Sequence, residues 1–225
     1  MGGKGKKMNI SEKLLKLLEE YECRDVTDPQ YHQVRYPKIM PIMHFEINQY
    51  QLKGFGQIMN MNSTAMKGLM RLTTIAFTPN EGGDIPFLLI DCMEMKNKLT
   101  VFVEYYDCTG KQLDLATLNQ LKEKYAAVRN YEEKPAWYIS ERMNCSLIKA
   151  GEQADMSILE QMVEDSMTEY LKLALAAQKD ENNLAGLRAF RQRMIEDGNP
   201  ASSTMDKVLG KKGSIVFFEK IVMPI

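Results

Sequence analysis

Asp91 is a carboxylate inside the apolar run Phe87-Leu-Leu-Ile-Asp-Cys-Met-Glu-Met95. Side chains of an extended chain alternate faces, so Phe87, Leu89, Asp91, Met93 and Met95 share one side, and Leu88, Ile90, Cys92 and Glu94 the other. An acid on an apolar face loses the hydration of its charged form. Its pKa then climbs toward neutrality, where a carboxyl can hand over a proton. The same group can equally be satisfied structurally, by loop amides or by Arg71. A second polar candidate is Asn199, in Asp197-Gly-Asn-Pro200. Asn before a Pro at the first helical position is a strong capping signal that accounts for it on local grounds, and its amide could still face the sheet.

Other chemistries find little support. There are two histidines, His32 and His44, too few for a metal cluster or a Ser-His dyad, and the cysteines at 23, 92, 108 and 145 show no C-x-x-C spacing. Metal ligation is therefore not expected, and a reducing compartment is. Gly82-Gly83 and Gly54-Phe-Gly56 lack the spacing of a nucleotide-binding loop. The 29 basic and 30 acidic residues nearly cancel, so no global field marks nucleic acid or a membrane surface as a partner, and charge-driven recognition must be local. No apolar run is long enough to span a bilayer. Seventeen methionines suit irregular core gaps, with the lining of a pocket for a flat ligand as the functional alternative.

The elements that must position Asp91 follow from periodicity. Leu14, Leu15, Leu17, Leu18 and Tyr21 predict a helix after Ser11, and the segments 42–52, 55–62 and 69–78 read as strands. Residues 85–95 and 98–107 form a strand pair joined by the two-residue connection Lys96-Asn97. A second helix follows Asp114, a further strand containing the sole tryptophan is expected over 136–149, and Asp155 opens a long amphipathic helix. Helices over about 184–197 and 200–210 precede a Phe-rich end. Strands that come mostly together and helices that collect late are the pattern of an α+β fold with a central antiparallel sheet. Residues 1–9 are read as a flexible basic arm and 10–225 as a single domain.

The segment Phe77-Thr-Pro-Asn-Glu-Gly-Gly-Asp-Ile-Pro-Phe-Leu-Leu-Ile-Asp-Cys92 resembles the central signature of ferredoxin-dependent bilin reductases, which runs from a Tyr-Pro through an Asp-Leu-Pro to an Asp on the central sheet. Asn199-Pro200, Met205, Leu209-Gly210 and Phe217-Phe218 fall in the order of that family's closing motif, so the resemblance covers roughly residues 65–225. It implies a divergent member, related also to red chlorophyll catabolite reductase. The implied fold is a three-layer α/β/α sandwich with an open-chain tetrapyrrole between the sheet and the C-terminal helices. Such enzymes carry no bound cofactor: reduced ferredoxin delivers single electrons and protein acids supply protons to a bilin radical. Asp91 takes the position of the main donor and Asn199 that of the helix-side Asp or Asn, where an amide can position a ligand or a water but cannot protonate it.

The departures are specific. Leu88-Leu89 stands where many members have Phe-Gly, and Thr74 where some have a His. Ala201 and Ser202 replace a basic residue that could hold a propionate. Substrate contacts are accordingly expected from Thr74, Leu89 and Met93, with propionates held by Arg71, Arg142, Arg188 or Lys149. Lys207, Lys211 and Lys212 form a candidate basic face for ferredoxin. The resemblance implies ferredoxin-dependent reduction of a biliverdin-like bilin by a cytoplasmic monomer, in the plastid stroma if the source is a photosynthetic eukaryote. A non-catalytic tetrapyrrole-binding or assembly protein of the same fold, and an unrelated domain with a groove for a protein partner, are the alternatives.

Overall fold

A computed structural model describes residues 8–225; most of the basic arm, residues 1–7, lies outside them. Its centre is one antiparallel sheet. The strands are β1 (Cys23–Asp25), β2 (Gln33–Tyr36), β3 (Met43–Leu52), β4 (Gly56–Ala65), β5 (Met70–Thr78), β6 (Phe87–Met95), β7 (Lys98–Tyr106) and β8 (Leu147–Glu152). Their order is β1-β3-β4-β5-β6-β7-β8, with β2 also on β3. From β3 to β7 each strand pairs with its sequence neighbour, as short connections favour. β6 is held between β5 and β7, with Asp91 opposite Thr74 on one side and Phe102 on the other.

Both faces of this sheet are covered. Ile75, Phe77, Leu88, Ile90, Val101 and Val103 meet the helices α1 (Ile10–Leu18), α2 (Ala116–Lys124) and α4 (Met156–Ala176). The alternate residues of the same strands, among them Phe45, Met59, Met61, Ala76, Phe87 and Leu89, meet α5 (Asn183–Glu196), α6 (Ser202–Phe217) and the chain end. The result is the three-layer α/β/α sandwich of the sequence reading. Strands buried on both faces read as nearly continuous apolar runs, which is why 87–93 shows so little polar alternation.

Two local differences from the sequence reading have clear causes. Residues 136–149 are not one strand. A short helix α3 (Trp137–Ser140) and a turn come first, and only Leu147–Glu152 pairs with β7. The aromatic and β-branched composition that suggests a strand is instead spent on packing: Trp137 and Tyr138 lie against the cluster on the α5 side. The short edge strands β1 and β2, flanking Pro29, are too brief to give a periodic signal.

The loop that feeds β6 is pinned to the α4–α5 connection. The Asp84 amide donates to the Gln178 carbonyl (2.8 Å) and the Asp180 amide to the Gly82 carbonyl (2.8 Å). Lys111 bridges Asp84 and Asp180. The Tyr170 hydroxyl of α4 donates to the Pro86 carbonyl at 2.6 Å, just before the strand starts. α5 crosses close to this region at Gly186, where a Cβ would stand 1.9 Å from the Cys108 carbonyl oxygen. Gly186→Ala is therefore expected to push α5 off the sheet and lower stability by about 1–3 kcal/mol, the usual cost of overpacking, readable as a lower Tm.

Candidate functional site

Between the sheet and the α5–α6 layer lies a cavity of about 320 Å³, at the lower end of the roughly 300–1,000 Å³ of small-molecule sites. Its floor is the pleat face that carries Thr74, Leu89, Asp91 and Met93, together with Leu72 and Phe102. Its roof comes from Met194, the segment from Asn199 to Ser202, Met205 and the Phe217-Phe218 pair. Seven methionines line it: Met43, Met59, Met61, Met70, Met93, Met194 and Met205. Core filling therefore accounts for only part of the unusual methionine content.

Among the described residues Asp91 is the one ionisable residue in that lining. The Thr74 hydroxyl, directly opposite in the strand register, donates to its Oδ1 at 2.5 Å. Burial pushes the Asp91 carboxyl from its ordinary 3.8 up to about 6, with the Thr74 hydrogen bond pulling the other way. Near neutral pH a usable fraction is thus protonated. No cation pairs with it among the described residues. The structural alternative of an Asp91–Arg71 pair does not form, because Arg71 is an odd number of residues, three, from the Thr74 opposite Asp91 and so points to the other face, where it pairs with Glu94 at 3.1 Å.

Asn199 reaches the cavity, but its amide is occupied by backbone. Oδ1 accepts from the Ala201 amide (3.0 Å) and Nδ2 donates to the Met194 carbonyl (3.1 Å), while the Asn199 amide donates to the Ser202 hydroxyl. This is a reciprocal start signal for α6. Gly198, at φ +86°, supplies the left-handed turn that ends α5, and its carbonyl accepts from the Trp137 indole at 2.8 Å. Asn199 thus shapes the roof, and what it offers a ligand is its position.

None of the expected propionate-holding cations lines the cavity. Arg71 is on the far face; Arg188 is exposed on α5. Lys149 donates to the Val128 carbonyl and Asn130 Oδ1. Arg142 is buried and engaged by two acids, Glu104 and Glu133. For Arg71 and Arg142 the cause is the acids that folding brings to them, Glu94 and Glu104, which lie tens of residues away in the sequence.

Glu104 is the group that reading missed. It lies on β7 opposite Leu89, on the face that carries Asp91, and accepts from the Tyr106 hydroxyl at 3.0 Å as well as from Arg142. Burial pushes it up, to about 7, against the pull of Arg142. The signal was present: Val-Phe-Val-Glu-Tyr-Tyr is an acid in an apolar strand, just as Asp91 is. Glu104 is walled from the cavity and held in an ion-paired cluster, whereas Asp91 faces open space.

No protein-family model matches the sequence, and no curated protein matches it. Among solved structures, the crystal structure of selenomethionine phytochromobilin synthase from tomato, in complex with biliverdin, is similar in fold. The TM-score is 0.74 at 11% identity, covering 95% of this chain and 80% of that one.

The raised carboxyl has a thermodynamic signature. Asp91 binds its proton more tightly in the folded chain than in the unfolded one, so stability falls as pH rises from about 4 through about 6 and then levels off. The shift corresponds to at most about 3 kcal/mol at pH 7. Asp91→Asn, uncharged and nearly isosteric, is expected to raise Tm over the native chain at pH 7 and to lose that advantage near pH 4. Thr74→Val removes the donor to the carboxylate, and carbon-13 NMR titration of Asp91 is expected to show its pKa raised further above 6.

Proposed function

We propose that this protein binds an open-chain tetrapyrrole in the methionine-lined cavity and reduces it, with Asp91 as the proton donor and reduced ferredoxin as the source of electrons. The observation that carries the reading is Asp91 itself: a carboxyl on the floor of a largely apolar cavity, with no cation paired to it among the described residues and its pKa raised by burial. The fold shared with tomato phytochromobilin synthase supports the same reading. A cavity whose sole ionisable group is an acid complements a ligand that presents N–H donors along an apolar, flat body, and pyrrole rings do so. The open space beside Asp91 counts against a groove built for a protein partner.

Saturating one double bond takes two electrons and two protons. Ferredoxin would supply the electrons singly, and Asp91 would release a proton to the ligand radical. The carboxylate left behind is stabilised by the Thr74 hydroxyl and is then reprotonated from solvent. Leu89 and Met93 flank the acid on the same strand face and hold the ligand plane against it. Lys207, Lys211 and Lys212 are exposed on α6, the helix roofing the cavity, and give an acidic donor protein a place to dock near the ligand.

A second reading, non-catalytic tetrapyrrole binding on the same fold, is favoured by one observation: among the described residues no basic side chain lines the cavity to fix a propionate. Titration with biliverdin followed by absorbance, then single turnover with reduced ferredoxin, separates the two. Reduction is expected to bleach or shift the bound spectrum in the native chain. Asp91→Asn is expected to bind within about threefold of native affinity and to lose at least about 100-fold in rate, as the removal of a general acid does. Binding without reduction would establish the second reading, and no spectral change with biliverdin would remove both.

A further inference from the structure

Three connections meet at one end of the sheet: residues 37–42 between β2 and β3, 66–69 between β4 and β5, and Lys96-Asn97 between β6 and β7. The register places them side by side, since Tyr36 is opposite Met43, Met43 opposite Ala65, Ala65 opposite Met70 and Met70 opposite Met95. The Lys96 amide donates to the Leu69 carbonyl at 3.2 Å, tying the second tip to the third.

Each tip pairs exposed aliphatic side chains with a lysine. The first carries Lys38, Ile39 and Met40, with Ile39 94% exposed. Met66, Lys67 and Leu69 form the second, and Met95 and Lys96 the third, all exposed. Met66, Lys67 and Lys96 stand at positive φ, in the left-handed region that a glycine adopts without steric cost. There is no acid from 35 to 43, from 63 to 73 or from 95 to 100. Glu152 lies opposite Lys98 in the register, which leaves Lys38, Lys67 and Lys96 as cations with no acid on their own tips. None of the three makes an ion pair among the described residues.

We propose that this end of the sheet docks on an anionic lipid surface, the aliphatic tips entering the headgroup region while the three lysines contact lipid phosphates and carboxylates. Three separate convex points fit a fluid surface better than a second protein. Protein interfaces concentrate aromatic residues, Met and Arg and are depleted in Lys; these tips share only the Met, carry no aromatic residue and no Arg, and set a Lys on each. Long lysine stems let the ammonium groups stay in the polar layer while the tips insert. The cavity extends to this same end, since Met43, Ala65 and Met70 line it where the tips begin. Docking would hold the cavity close to a lipid phase, from which an apolar ligand can partition. The proposal is independent of whether the protein reduces what it binds.

The test is flotation of the full chain with phosphatidylcholine vesicles, with and without phosphatidylserine, at low and high salt. Capture is expected on the phosphatidylserine vesicles and is expected to weaken with salt. Lys38→Ala/Lys67→Ala/Lys96→Ala is expected to reduce capture by about 100-fold, at roughly fivefold per lysine. Ile39→Ser/Met40→Ser is expected to reduce it at every salt concentration, with Tm unchanged because both residues are solvent-exposed. The proposal is overturned if neither vesicle captures the protein, or if both variants float like the native chain. It is likewise overturned if the tip variants abolish self-association, or binding of an acidic ferredoxin, while vesicles never capture the native chain.

Discussion

Water is removed from both faces of the sheet, and the rest of the structure answers to that. With α1, α2 and α4 on one side and α5 and α6 on the other, the side chains of the central stretches of β5, β6 and β7 are cut off from bulk solvent, and only the strand ends toward Met95 and Lys98 reach it. Apolar residues satisfy this at no cost. Each polar group needs a partner: the register brings Glu94 to Arg71 and Thr74 to Asp91, while Glu104 is met by Tyr106 two residues along its own strand and by Arg142 from the segment between α3 and β8. What distinguishes Asp91 is that its partner is neutral. A cation would hold the carboxylate charged, whereas a single hydroxyl leaves desolvation dominant.

The interior cations follow the same logic. Arg142 and Arg71 are matched to acids, and Lys149 to backbone and amide oxygens. These pairs stabilise weakly at best once the cost of desolvation is counted, but breaking one leaves a buried charge exposed to low dielectric. They therefore act as fixed parts of the scaffold and are not available to a ligand. The cavity is left with one acid and a wall of thioethers and aromatic rings interspersed with uncharged Ser, Thr and Asn residues.

Much of this was legible in the sequence. The alternation across 87–95, the Lys96-Asn97 turn and the long helix after Asp155 each have a period or a turn that local sequence specifies, and they appear as read. The face assignment of Asp91 followed from the pleat alone. The fate of Arg71 and Arg142 was not legible, because a cation's partner depends on tertiary contacts across tens of residues: 23 separate Arg71 from Glu94, and 38 separate Arg142 from Glu104. The stretch 136–149 failed for a related reason: its aromatic composition suits a strand and a packed short helix equally, and tertiary contacts decide between them. Glu104 was overlooked although its local pattern matches that of Asp91.

The methionine wall has a consequence for how the cavity chooses what it holds. Thioether side chains are unbranched and rotate through several conformers at little cost, so seven of them give a lining whose shape is set by rotamers more than by backbone. Such a wall adapts to many outlines and discriminates poorly by shape, which leaves chemical selection to the acid and the few uncharged polar residues around it. It also makes the cavity sensitive to its oxidative surroundings. Conversion of one of these residues to the sulfoxide would place a polar, stiffer group on the apolar wall, and the cavity would lose the adaptability on which its fit depends.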